Sequence, residues 1–206
     1  MARLPYATGT QFAQLMRVTG LAENTPPANA FRVLAHTPSV GAATLRLVLA
    51  LLTETDLDPR VRELVILRVA QRCDGRYAWS QHVAMARSMG VSDAQIAALE
   101  RAETPAALFS ERERATFTVA DEVLDTCRAG ADTLATVHAL FSECEIVELL
   151  LLIGYFRMIC GLMTTLDVEV EPPFGAKVLD SVHDPLVDQF DTRVAQLPVR
   201  GYVWTG

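Results

Sequence analysis

Residues 60–90 read RVRELVILRVAQRCDGRYAWSQHVAMARSMG, and this stretch decides the fold. Two apolar-faced helical patterns meet there at a short polar break, Asp74-Gly75. On a helical wheel at about 100° per residue, Val65, Val69, Cys73, Ile66, Ala70 and Leu67 share one broad arc, interrupted by Arg62. Arg60, Gln71, Arg68 and Arg72 lie opposite and read as the solvent side. Glu63 falls inside the apolar arc. An isolated buried charge is expensive, so a carboxylate there must be neutral, paired or beside a water-filled site. The alternative is a rim carboxylate paired with Arg60 or another neighbour. In the second helix His82 shares its face with Gly75, Ala78, Trp79, Met85, Ala86 and Met89. Gly75 and Ala78 are small and leave space, while Trp79 offers a flat wall. A histidine there suits a general acid or base. The alternative is a core histidine hydrogen-bonded to Glu63 or to a backbone carbonyl.

Working outward, helix signals recur with their caps. Residues 8–19 form a first helix, Pro26-Pro27 break the chain, and Asn29–His36 is a short helix. Pro38 sits where a first turn tolerates proline, and that helix runs to about Thr53. Asp58-Pro59 is an N-cap followed by a proline at the first helical position, opening a helix over 59–73. The next runs from 76 to 89 and stops at Gly90. Three capping boxes follow, each with a serine reaching the third helical residue. Ser92 with Gln95 opens a helix to about 102, and Ser110 with Glu113 one to about 127. Ser142 with Glu145 opens the longest, to about 166. Asp132–Phe141 is a short helix between the last two. Strand signals are short and no Asn-Gly or Asp-Gly hairpin is flanked by alternating residues. The fold expected is all-α. Beyond Leu166 the sequence turns rich in proline and charge, and residues 167–206 read as a tail, with a short helix near Pro185–Ala195.

Composition narrows the function. The chain has 206 residues, enough for one domain with a full core. A net charge of −7, without a lysine or arginine cluster, argues against nucleic acid and anionic membrane partners. The N-terminus MARLPYATGTQFAQ lacks an apolar core of signal-peptide length, so a cytoplasmic protein is expected. The four cysteines, Cys73, Cys127, Cys144 and Cys160, are not in CxxC spacing and read as free and partly buried. Histidine is sparse and unpaired, so no metal site is expected. Ile146–Met163 is the most apolar segment. Glu148 and Arg157 interrupt it, and its uncharged runs fall short of the roughly 18–20 residues of a bilayer span. It reads as a helix at the core or between subunits. Arg157 is expected to pair with a carboxylate across a helix or subunit contact.

The stretch RELVILRVAQRCDGRYAWSQHVAMARSMGVSDAQI (62–96) resembles the carboxymuconolactone decarboxylase family, which includes alkyl hydroperoxidase D-like proteins. So do NAFRVLAHTPSV (29–40), SERERATFTVADEV (110–123) and FSECEIVELLLLIGYFRMICGLMTTLDVEVEP (141–172). The resemblance covers roughly residues 28–172. It implies an all-α fold and homo-oligomers, often trimers or hexamers; with the reading of the residues above, the chain divides into a helical domain over 1–166 and a tail over 167–206 that packs on its own or a neighbouring subunit.

In the peroxidase branch, two cysteines in CxxC spacing precede a histidine, and a glutamate on the preceding helix completes a proton relay. His82 matches that histidine and Glu63 that glutamate. The cysteine positions hold Gly75 and Ala78, so both thiols are absent, and disulfide-based peroxide reduction at this site is disfavoured. What remains resembles the decarboxylase branch of aromatic-acid breakdown, a lyase chemistry that needs no cofactor. It implies a small-molecule, anionic substrate, Glu63 and His82 as the acid–base pair, and a pocket of Gly75, Ala78, Tyr77 and Trp79. Arg68 or Arg76 can hold the substrate's charge, or each can be a solvated surface charge. Two alternatives stand beside this: a peroxidase or thiol oxidoreductase using Cys73, and a non-catalytic oligomer in which Glu63 and His82 form a structural hydrogen bond.

Overall fold

A computed structural model describes residues 2–21 and 25–173. Among them are nine α-helices and no strand. These are α1 (Gly9–Thr19), α2 (Asn29–Leu34), α3 (Pro38–Thr53), α4 (Pro59–Arg72), α5 (Arg76–Ser88), α6 (Asp93–Glu100), α7 (Glu111–Thr126), α8 (Ala131–Leu140) and α9 (Glu143–Thr165). The helix expected near Pro185–Ala195 lies outside the described residues. The three expected capping boxes all form, and Thr8 with Gln11 makes a fourth at the start of α1. The Asp58 carboxylate accepts from the backbone N–H groups of Arg60 and Val61, which fixes the start of α4.

Helix α4 is the axis of the bundle. It packs against α5, α6, α7 and α9, and every residue from Val61 to Ala70 is buried. A helix covered all round buries its polar residues too, and they must then be paired. This corrects the expected solvent face. Arg68 is buried, and its guanidinium makes a two-pronged contact with Asp121 of α7 at 2.9 and 2.6 Å. It is neither a surface charge nor free for substrate. Arg60 likewise bonds Glu113 of α7 and reaches Gln95 of α6 at 2.9 Å. Arg72 pairs with Asp125. All three α4–α7 pairs are separated by 53 residues, so the two helices run parallel in one register.

Helices α1, α2 and α3 form a second layer with its own core around Leu15, Met16, Leu45 and Leu49. Gly41 lets α3 approach α2 closely, since a Cβ there would meet the Leu34 carbonyl oxygen at 2.3 Å. The described start of the tail, residues 167–173, lies on its own chain. Asp167 pairs with Arg3, the Glu169 N–H donates to the Tyr6 hydroxyl, and Asn29 donates to the Glu169 carbonyl. Helix α9 is long and apolar enough to cross a membrane, yet half of that stretch is buried inside the bundle. Its Glu148 accepts from the Asp56 and Leu57 N–H groups just ahead of α4.

Candidate active site

The turn between α4 and α5 brings Glu63 and His82 together. Asp74 takes the left-handed conformation there, with φ of 49°, whereas Gly75 does not. Glycine is needed at 75 for space. A Cβ on Gly75 would stand 2.4 Å from Cys160 Sγ, on α9. The gap expected beside Gly75 is therefore filled by a sulfur atom. Gly75→Ala is expected to destabilise the protein by about 1–3 kcal/mol, the usual range for overpacking a core. Adding Cys160→Ala should recover most of that loss, measured by equilibrium denaturation of the single and double variants.

Across the helix pair, His82 Nδ1 lies 2.9 Å from Glu63 Oε2. Glu63 has no exposed surface and His82 is 8% exposed. The imidazole meets the ring of Phe156 edge-to-face, with centroids 4.9 Å apart. With Glu63 ionised, Nδ1 carries the proton and donates it, which leaves Nε2 as the working nitrogen. No hydrogen-bond partner for Nε2 is present among the described residues.

Arg62 is the residue that sequence reasoning passed over. It interrupts the apolar arc, yet it is only 4% exposed. Its Nε lies 3.6 Å from Glu63 Oε1, beyond hydrogen-bond length, and both atoms are buried without a hydrogen-bond partner. A buried guanidinium whose Nε donor is unused stands beside a buried carboxylate with an unused acceptor. The available signal was a charge on the inner arc, the same signal that pointed to Glu63.

The other expected site residues are spread around α5. Ala78 is buried in the main core cluster, and Trp79 packs partly buried between that cluster and the one around Leu64 and Phe117. Tyr77 turns toward α2 and the tail. It accepts from the Ala30 N–H at 3.1 Å and donates to Glu171 Oε1 at 2.6 Å. Burial, reinforced by Glu171, holds its phenol well above the usual range. Tyr77→Phe leaves the Ala30 N–H without its acceptor, while Glu171 Oε1 keeps the Asn29 N–H, and is expected to cost about 1–3 kcal/mol. Faster hydrogen exchange at the Ala30 amide would register the loss. Arg76 is exposed. Within the chain Arg157 meets the Val123 carbonyl and Cys127 Sγ, not a carboxylate. Cys127 and Cys144 are exposed, not partly buried, because each lies at a helix end.

A cavity of about 410 Å³ lies between α7, α8 and α9, lined by Val119, Val123, Leu134, Val137 and Leu149, with Arg128 its one charged wall. None of its lining comes from α4 or α5, so it is separate from the Glu63–His82 pair.

The fold is shared with solved structures. A protein of unknown function from Agrobacterium tumefaciens, a candidate antioxidant defence protein AhpD, superposes with a TM-score of 0.62 at 23% identity, over 68% of this chain and 95% of that one. An uncharacterised peroxidase-related protein with an alkylhydroperoxidase AhpD core, from Ralstonia eutropha, gives 0.67 at 15% identity, over 82% and 92%. Residues 38–122 match the model of the carboxymuconolactone decarboxylase family. Over that segment the chain is similar to the family. The family segment runs from the start of α3 into α7 and contains Glu63, His82 and Arg62. The debrominase Bmp8 gives a TM-score of 0.63 at 14% identity, over 84% of this chain and 89% of that one. A variant of that enzyme has been solved with 2,3,4-tribromopyrrole. At these identities the likeness is one of fold. No curated protein matches the chain in sequence.

Proposed function

We propose that the chain is a cofactor-free lyase of the carboxymuconolactone decarboxylase type, acting on a small anionic organic substrate. The observation that carries this is the buried Glu63–His82 hydrogen bond with the Arg62 guanidinium in ion-pair range of Glu63, its Nε without a hydrogen-bond partner. A carboxylate placed β,γ to a double bond leaves as carbon dioxide when its electron pair can delocalise into a dienolate. The Arg62 donors supply positive charge for such an anion, in a site shielded from water. His82, protonated at Nε2, delivers the proton to carbon, and Glu63 holds the resulting imidazole through Nδ1. Arg68, committed to Asp121, leaves the anion-holding role to Arg62. The debrominase likeness is in keeping with a small unsaturated ring as substrate.

The test is carbon dioxide release from a panel of lactone carboxylates. The wild type should turn over at least one of them, and His82→Ala should not. Equal turnover by both proteins overturns the assignment. A second reading takes the pair as a structural hydrogen bond in a non-catalytic protein. The near-complete burial of Glu63, Arg62 and His82 favours it. It predicts that no member of the panel is consumed.

The same reading takes the chain as a cytoplasmic homo-oligomer, a trimer or a hexamer. On α9, Val147, Leu151 and Met158 are about half exposed and share a stripe with Gly154 and Gly161. Their spacing of four, three, four and three residues is that of a helix–helix seam. Glycines in the stripe allow close backbone approach, and a Cβ on either would meet nothing within 4 Å. Light scattering on the wild type should give a multiple of the 22.5 kDa chain mass, and Leu151→Asp with Met158→Asp should lower it to one chain. A monomeric wild type would rule this out.

A further inference from the structure

The cavity between α7, α8 and α9 has the make-up of a small-molecule site of its own. Its volume of about 410 Å³ falls in the range, about 300–1,000 Å³, in which proteins hold small organic ligands. Val119, Val137, Ile146 and Leu149 form its inner walls, all of them buried and apolar. The polar members of the lining, Cys127 and Arg128, come where α7 ends, and both are exposed. The Thr126 hydroxyl donates to the Arg128 carbonyl oxygen at 2.9 Å, whereas the Arg128 guanidinium pairs with no carboxylate among the described residues. Arg157 reaches the same end from α9, its Nη1 3.4 Å from the Val123 carbonyl oxygen and 3.5 Å from Cys127 Sγ, again with no carboxylate partner among the described residues. The acid closest along α7, Glu122, is already committed. It accepts from the Gly130 N–H and the Thr133 hydroxyl, both at 2.7 Å, and so fixes the loop that carries Arg128. In a chain of net charge −7, two arginines without acid partners stand at the open end of an apolar cavity. Such an arrangement selects an anion with an apolar body, because guanidinium holds carboxylate strongly and the walls reward burial of hydrocarbon.

We propose that this cavity binds an amphipathic monocarboxylate, a single carboxylate on an apolar body. The body lies among the valine, isoleucine and leucine side chains, and the carboxylate meets Arg128 and Arg157 at the end of α7. An amphipathic cation of the same length is rejected by those two charges. No residue of α4 or α5 lines the cavity, so the site requires neither Glu63 nor His82 and stands apart from the proposed lyase reaction.

The experiment titrates the full chain with decanoate, and separately with decyltrimethylammonium, by isothermal calorimetry. Decanoate should bind once per chain, and the cation should not bind. Arg128→Gln should weaken decanoate by about 10–100-fold, the worth of a charged hydrogen bond. Leu134→Trp, which fills the cavity from its partly exposed wall, should abolish binding, whereas His82→Asn should bind as the wild type does. Alkylation by iodoacetamide, read peptide by peptide, locates the ligand. Decanoate should slow the labelling of Cys127 and leave Cys144, exposed and outside the lining, unchanged. The proposal fails if decanoate does not bind, if the cation binds equally well, or if Arg128→Gln binds like the wild type. It also fails if Cys127 labels at the same rate with and without decanoate. Resistance of Cys127 to labelling in the ligand-free protein overturns it too, since a second copy of the chain then covers the opening. The wild-type titrations and labelling decide the matter if a variant does not fold.

Discussion

Replacing Glu63 by alanine is expected to remove about 3–5 kcal/mol of folding stability, the usual cost of deleting one member of a buried charged pair. The reason lies in what is left behind. Glu63 is fully enclosed, and both neighbours that face it, Arg62 and His82, are themselves more than nine-tenths buried. Without the carboxylate the Arg62 guanidinium has no compensating charge, and His82 Nδ1 loses its partner at 2.9 Å. Glu63→Gln keeps an acceptor for Nδ1–H and should cost less, although Arg62 again loses its counter-charge. Equilibrium unfolding in urea measures both. A loss below about 1 kcal/mol for Glu63→Ala is what an exposed ion pair would give and would contradict the buried arrangement.

The second large effect is catalytic. His82→Asn is expected to lower turnover by about 10²–10⁴-fold, the contribution typical of a positioned general acid or base. Asparagine places an N–H donor where imidazole Nδ1 lies, so Glu63 stays hydrogen-bonded. What is lost is the second nitrogen and with it the proton delivered to substrate. The stability loss should be smaller than that of Glu63→Ala. Turnover falling in proportion to stability would mark His82 as structural. Steady-state rates on whichever lactone carboxylate the wild type consumes, set beside the unfolding curves, separate the two.

Most helices were legible because their signals are local. A serine three residues before a glutamate or glutamine, or an Asp-Pro start, is read within one turn of chain, and each such cap forms. The meeting of Glu63 and His82 was legible for a related reason. Two helices joined by a tight turn face each other, and the buried faces carry both residues. Arg68 was misread because a wheel assumes one covered face and one wet face. Helix α4 is covered on all sides, and nothing within it announces that Asp121 will arrive from α7. The space beside Gly75 was misjudged in the same way. Glycine at 75 reads as a void until Cys160, on the last described helix, is brought against it. Tyr77 looked like a pocket wall because its partners, Ala30 and Glu171, lie far away in both directions along the chain.

The constant 53-residue offset between α4 and α7 bears on how such a protein can be rebuilt. Three charge pairs act as a ruler, so the alignment of these two helices is written in side chains and not in the length of the connection. The intervening segment, which carries α5 and its histidine, is then a cassette held between two clamped beams. Its loops can be lengthened, shortened or exchanged while the frame keeps its register.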